Sequence, residues 1–164
     1  MNNFSLRRAT AADLPLIRQL ADRIWWEHYP SIITEAQIAF MLELIYSEAA
    51  LQRQMEEEGQ EFWLPEKNGQ ALGFLAVSHK GEGSYFLHKF YLDTRERGLG
   101  TIIFELLLAR YPGLQEMRLR VNRRNFKSVN FYFKVGFRIE SCVDTPFGED
   151  YVMDDFQMIL GSCS

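Results

Sequence analysis

The run Arg95-Glu96-Arg97-Gly98-Leu99-Gly100 has the make-up of an anion-binding turn. Its two glycines let a ligand oxygen approach the backbone, and its two arginines offer charge-assisted contacts. An apolar stretch, residues 101–110, follows at once and reads as a helix. The run therefore lies where a helix start presents unpaired N–H groups and the positive end of its dipole. That chemistry suits a pyrophosphate. A solvated strand-to-helix turn has the same letters, since short glycine motifs recur by chance. Two other phosphate loops are excluded: there is no third glycine with a βαβ repeat, as in a dinucleotide fold, and no Gly-Lys-Ser/Thr, as in a P-loop.

A second concentration of useful side chains is residues 121–137, VNRRNFKSVNFYFKVGF. Asn125 is a good N-cap, because its side-chain oxygen accepts a backbone N–H at a helix start. Ser128 comes one turn later on the same face. Tyr132 carries a phenol that titrates near pH 10 when unperturbed, so at neutral pH it can donate a proton. Ring packing beside Phe131 and Phe133 is its plainer use. Upstream, His88 has an ordinary pKa near 6.5, which suits a general base; a histidine hydrogen-bonded on a sheet face fits the sequence equally well. The cysteines, Cys142 and Cys163, have neither the spacing nor the neighbours of a metal site and read as reduced thiols; no metal is expected.

The elements that must position these groups can be read from periodicity and punctuation. Residues 4–8 form a short strand. A helix opens around Thr10-Ala11-Ala12-Asp13, and its apolar stripe is Leu14, Ile17, Leu20, Ala21, Ile24 and Trp25; Pro30 ends it. Thr34-Glu35-Ala36-Gln37 is a capping-box pattern that begins a second helix, and Ser47 caps further helical turns that stop at Glu56-Glu57-Glu58-Gly59. Strands are expected at residues 61–66, 71–79 and 84–92, joined by an Asn68-Gly69 hairpin and a Gly81-Glu82-Gly83 turn. Then come the helix at 101–110, a strand at 117–121, a helix at 125–134 stopped by Gly136, and strands at 137–143 and 151–160. This order predicts one α+β domain over residues 1–164, with a mixed, mostly antiparallel sheet of six to seven strands flanked by helices.

The two motifs together resemble those of the GCN5-related N-acetyltransferase (GNAT) superfamily. Its first signature is Q/R-x-x-G-x-G/A at a strand–helix junction. Its second is an Asn-led run ending in F/Y-Y-x-x-x-G-F after the next strand, and the element order matches from end to end. The resemblance implies a GNAT fold and acetyl-CoA as co-substrate. It implies that the backbone of Arg95, Glu96, Arg97, Gly98, Leu99, Gly100 and Thr101 binds the coenzyme A pyrophosphate. Phe90, Tyr91 and Leu92 would pair with the pantetheine arm and supply an oxyanion donor. Asn125 and Ser128 would contact the cofactor, and Tyr132 would protonate the departing thiolate. Thr94 stands where the family usually has a proline, a departure that touches rigidity and not the anion site. Some arylalkylamine-type members carry a histidine on the strand of His88 as part of a proton relay. The first helices usually form a wall of the acceptor site; Trp25, Trp26, Tyr29 and Tyr46 fall there. Trp25 continues the apolar stripe, so Trp26 and Tyr29 are the better candidates for substrate binding. Glu27 and His28 could line the same side.

Composition sets the outer limits. The net charge of −4 argues against a general nucleic-acid binder and is compatible with a cationic substrate. No stretch approaches the roughly 20 apolar residues of a membrane span, and no signal peptide is visible, so the expected location is the cytoplasm. The final hairpin carries Asp144, Glu149, Asp150, Asp154 and Asp155, and its segment Tyr151-Val152-Met153-Asp154-Asp155-Phe156 resembles the last strand of a bacterial subgroup with some polyamine-acetylating members. The expected acceptor is therefore a small-molecule amine. Edge pairing through that hairpin offers a route to a homodimer. The competing functions are a non-catalytic acyl-CoA sensor and an acetyltransferase acting on protein N-termini or lysines.

Overall fold

The computed structural model describes residues 3–93 and 96–161. Thr94, Arg95 and Cys163 lie outside the described residues. In chain order the elements are β1 (Phe4–Arg8), a 3-10 turn (Ala11–Asp13), α1 (Leu14–His28), α2 (Glu35–Tyr46), α3 (Glu48–Glu56), β2 (Glu61–Lys67), β3 (Gln70–Ala71), β4 (Gly73–Gly81), β5 (Ser84–Leu92), α4 (Leu99–Ala109), β6 (Glu116–Asn122), α5 (Phe126–Lys134), β7 (Arg138–Phe147) and β8 (Tyr151–Gly161). This is the mixed, mostly antiparallel α+β arrangement expected, with eight strands among the described residues in place of six to seven.

The chain divides into two compact units. The first holds the described residues up to Ser78 together with His88–Tyr111. Within it β1 and β4 flank β2 in antiparallel register, Phe4 opposite Lys67 and Phe62 opposite Ala76. Helix α1 packs on α2 and α3, and α4 packs on β1. The α1 stripe is buried as its spacing requires. Thr34 forms the reciprocal cap of α2: Gln37 N–H donates to Thr34 Oγ1 at 3.1 Å, and Thr34 N–H donates to Gln37 Oε1 at 3.0 Å. Ser47 caps α3 through Ala50 N–H at 3.2 Å. Ile17, Ile38, Leu51, Phe62, Leu64, Phe74 and Leu75 are fully buried, each contributing about 1.5–3 kcal/mol of apolar burial. The end of α4 is pinned by polar contacts: Arg110 donates to the Leu6 carbonyl at 2.8 Å, and Tyr111 accepts from Trp63 Nε1 at 2.9 Å while donating to Glu61 at 2.7 Å.

The expected single return strand at 71–79 is in fact two pieces. The Asn68-Gly69 turn forms, with φ of 52° and 79°, but pairing breaks at Leu72. Its N–H donates to the Pro65 carbonyl at 2.8 Å, and its own carbonyl accepts from Asp93 N–H at 2.6 Å. One residue thus bridges two neighbours and cannot continue either ladder. Gly73 follows, so close to β5 that a Cβ there would collide with the Tyr91 carbonyl.

The second unit holds His79–Leu87 and the described residues from Pro112 onward. The first half of β5 pairs in parallel with β6, Ser84 opposite Glu116 and Leu87 opposite Leu119. Strand β6 pairs antiparallel with β8, and β8 with β7, where a bulge lies between Ile139 and Ser141. Met117, Leu119, Met158 and Phe137 form its core. Strand β7 runs past its expected end at residue 143 to Phe147, because the hairpin stays paired through its polar tip, while β8 begins at Tyr151 as expected and ends one residue later, at Gly161.

Candidate active site

In the first unit, β5 delivers the chain into the glycine run. Gly98 is the N-cap of α4 in the left-handed region, with φ of 76° and ψ of −3°. The first bond within the helix is Ile102 N–H to the Gly98 carbonyl at 3.2 Å. The N–H groups of Leu99, Gly100 and Thr101 precede it and have no acceptor within the helix. Together with the helix dipole they make the opening of α4 an anion-binding element. The helix begins two residues before the expected start, so Leu99 and Gly100 are its first turn and Leu99 is buried. Glu96 and Arg97 are exposed beside it, and Glu96 pairs with Lys67 at 3.3 Å. Arg95 cannot be placed, as it is outside the described residues.

A Cβ at Gly98 would meet nothing within 4 Å. The cost of a side chain is therefore conformational alone, about 1–2 kcal/mol for a non-glycine residue in this region. Gly98→Ala should lower unfolding stability by about that amount, whereas Gly98→Asn, which tolerates the left-handed region, should lose less. Denaturant titration checks this order. Equal stability of all three proteins would remove the conformational argument for this glycine.

Phe90, Tyr91 and Leu92 are the half-buried end of β5. Alternation along the strand separates their side chains. Phe90 meets Phe104 of α4 edge-on at 6.0 Å. Tyr91 joins an aromatic cluster with Trp25 at 5.9 Å and Phe74 at 5.4 Å. Tyr29 stacks on Trp25 at 4.3 Å, and its hydroxyl lies 3.3 Å from that of Tyr91. Tyr46, fully buried, meets both Trp25 and Phe74 edge-on, and burial raises its phenol above the ordinary range. Thus Tyr29 and Tyr91 come together, and Trp25, assigned to the core by its spacing, is their partner. Trp26 is 40% exposed, while Glu27 is exposed and His28 half-buried at the end of α1.

Two further polar groups lie on β5. His88 Nε2 is 2.7 Å from the hydroxyl of Ser78 on β4, a serine only 2% exposed. The sequence offered one signal for Ser78: it closes a run of five apolar residues, 73–77, where a buried hydroxyl needs a partner. Lys89, next in the strand, is buried on the opposite face and donates to Gln60 Oε1 at 2.8 Å. Its ammonium sits over the rings of Phe62 and Tyr46 at 5.2 and 5.8 Å. Burial pushes it down to about 7, weakly opposed by Glu58.

In the second unit, Asn125 caps α5 by accepting from Ser128 N–H at 3.3 Å. Ser128 is half-buried in the first turn. Tyr132 is 8% exposed, its ring edge-on to Phe131 and Phe137 at 5.5 Å each. The hairpin acids lie largely against the loop that leads into α5. Asp144 pairs with Arg123 at 2.7 Å, while Asp154 accepts from Asn122 at 3.1 Å and lies 3.7 Å from Arg124. Burial raises the Asp155 carboxyl to about 6 against the attraction of Arg120 and Arg123. Glu149 and Asp150 are exposed at the hairpin tip.

The comparisons with known proteins agree on the class. The acetyltransferase (GNAT) domain model matches residues 31–150. No curated protein matches the chain. Among solved structures, the PaiA N-acetyltransferase of Thermoplasma acidophilum, in complex with coenzyme A, is similar with a TM-score of 0.76 and 23% identity, over 97% of this chain and 99% of that one. A GCN5-related N-acetyltransferase from Rhodopseudomonas palustris gives 0.75 and 15%, over 96% and 95%. Spermidine N-acetyltransferase from Vibrio cholerae, in complex with CoA and spermine, gives 0.66 and 16%, over 96% and 95%. At these identities the structural likeness is one of fold, while the domain match covers well over half of the sequence. The chain therefore belongs to the GNAT acetyltransferase family, and its activity is that of an N-acetyltransferase.

Proposed function

We propose that this protein moves an acetyl group from acetyl-CoA to the primary amine of a small molecule, polyamine-like or aryl, by direct attack with both substrates bound together. The observation that carries this reading is the opening of α4. A left-handed glycine sets three successive N–H groups, those of Leu99, Gly100 and Thr101, ahead of the first helical bond, and that donor set fits a diphosphate. Bound acetyl-CoA supplies the activated thioester. The backbone of Phe90, Tyr91 and Leu92 would hold its arm. Asn125 and Ser128 would contact it from the start of α5.

The chain's own residues then have two proton tasks. A primary amine is mostly protonated at neutral pH and must lose a proton to attack, a task we give to His88. The departing sulfur gains a proton from Tyr132. The acceptor side is the wall formed by Trp25, Tyr29 and Tyr91, with Trp26 exposed on the same helix. Aromatic faces bind apolar or cationic amines. Spermine and spermidine as ligand and substrate of a fold relative support the polyamine end of this range.

A rate comparison tests the acceptor class. Spermidine, an arylethylamine, free amino acids and peptides with a free N-terminus or lysine would be compared at fixed acetyl-CoA. The expected result is a kcat/KM for a small amine at least tenfold above any peptide, a gap of about 1.4 kcal/mol in transition-state binding. The reverse order would move the protein to peptide acetylation.

A further inference from the structure

We propose that Lys89 is a specificity-determining residue: from behind the aromatic wall it decides whether that wall accepts a cation. The proposal rests on the reading of Trp25, Tyr29 and Tyr91 as the acceptor side and adds a residue to it. Lys89 and Tyr91 are two positions apart on β5, so strand alternation puts both on one face. Ring contacts connect Lys89 to the wall. Its ammonium lies 5.8 Å from the centre of the Tyr46 ring, and Tyr46 meets Trp25 edge-on at 5.6 Å. Trp25 in turn stacks on Tyr29 at 4.3 Å and meets Tyr91 at 5.9 Å. All of these residues belong to the first unit.

The charge of Lys89 is poorly compensated where it stands. Its hydrogen bond goes to the neutral amide of Gln60, which is itself buried. Phe62 carries no charge, and burial keeps the Tyr46 phenol protonated. The carboxylate whose field reaches it is Glu58, exposed after α3 and 3.8 Å from Arg53. Burial therefore pushes Lys89 down to about 7. Below that pH a cation stands behind the wall; above it the wall is backed by a neutral amine. An ammonium seated on the rings and a charged Lys89 would be on the order of 10 Å apart. At an effective dielectric of about 20, their repulsion corresponds to roughly a tenfold loss of affinity. The coupling is reciprocal, so a bound cation weakens the hold of Lys89 on its proton by the same factor. An uncharged ligand escapes both effects.

The test is calorimetric binding, with CoA present, of phenethyltrimethylammonium, whose charge is fixed, and of 2-phenylethanol, which has none. From about pH 5.5 to about pH 8.5 the cation should gain about tenfold in affinity, while the alcohol changes by less than about twofold. Near pH 7 the wild type should release part of a proton on binding the cation and none on binding the alcohol, read from the dependence of the heat on buffer ionisation. In Lys89→Met the cation should bind at every pH with the affinity the wild type reaches at high pH, and no proton should be released. A cation affinity that ignores pH in the wild type, or a pH dependence that survives in Lys89→Met, overturns the role of Lys89 and leaves the acceptor wall standing. Failure of both probes to bind, together with no acetyl transfer to any small amine, overturns the acceptor reading and this proposal with it.

Discussion

Replacing Tyr132 with phenylalanine should lower kcat about a hundredfold, within the range for loss of a general acid, while acetyl-CoA affinity and melting temperature stay near wild type. The packing argument is direct. The ring is buried edge-on between Phe131 and Phe137, so phenylalanine fills the same space and keeps both aromatic contacts. Only the hydroxyl is lost. If the hydroxyl protonates the departing sulfur, the defect appears in kcat and kcat/KM together, because that contact matters only in the transition state. The defect should shrink for an acyl donor whose thiol is a better leaving group. Steady-state kinetics with two thioesters checks both points. Wild-type kcat in the variant would reduce Tyr132 to a core residue.

The second large effect is on stability. Lys89 is 5% exposed and faces Gln60 and two aromatic rings, with no carboxylate bonded to it among the described residues. Its pKa is lowered from 10.5 to about 7 in the fold. The unfolded chain therefore binds this proton more tightly between those two values, and stability must rise with pH across the window and be lowest below it. The slope is about 1.4 kcal/mol per pH unit while one proton separates the states. Between about pH 7.5 and about pH 9.5, Lys89 should thus contribute a rise of roughly 2–3 kcal/mol. Lys89→Met should remove this rise. At neutral pH it should also stabilise the protein, less the cost of leaving Gln60 Oε1 without its donor, about 1–3 kcal/mol. Denaturant unfolding at several pH values measures the difference. Parallel curves for the two proteins would mean that Lys89 keeps its ordinary pKa.

Much of the fold was legible because local chemistry and periodicity agreed. Thr34 and Gln37 close their cap, Ser47 starts α3, and Asn68-Gly69 turns the chain, each for a reason contained in a few neighbouring residues. Residues 84–92 and the capped start of α5 were legible in the same way. The break at Leu72 was not, because it depends on Asp93, which is remote in the chain. In the site, Gly98 announced itself through its motif. The partners of the functional side chains did not, since they come from distant segments. Tyr29 reaches Tyr91 across 62 positions. Ser78 meets His88 only because β4 and β5 fold back on one another. Lys89 defeats the rule that lysines face water, and strand alternation alone could have raised the suspicion. The hairpin acids were visible in the sequence, but not that Asp144 pairs with Arg123 and that Asp154 meets Asn122 and Arg124.

The most direct measurement follows the acetyl group itself. Purified protein is mixed with isotopically labelled acetyl-CoA, with and without a small primary amine, and both free thiol and labelled amide are quantified. Catalysis by the residues assigned here predicts one labelled amide per thiol released and negligible thiol release without amine. Tight binding of acetyl-CoA with no amine-dependent thiol release across the acceptor panel would contradict it and identify the protein as an acyl-CoA sensor.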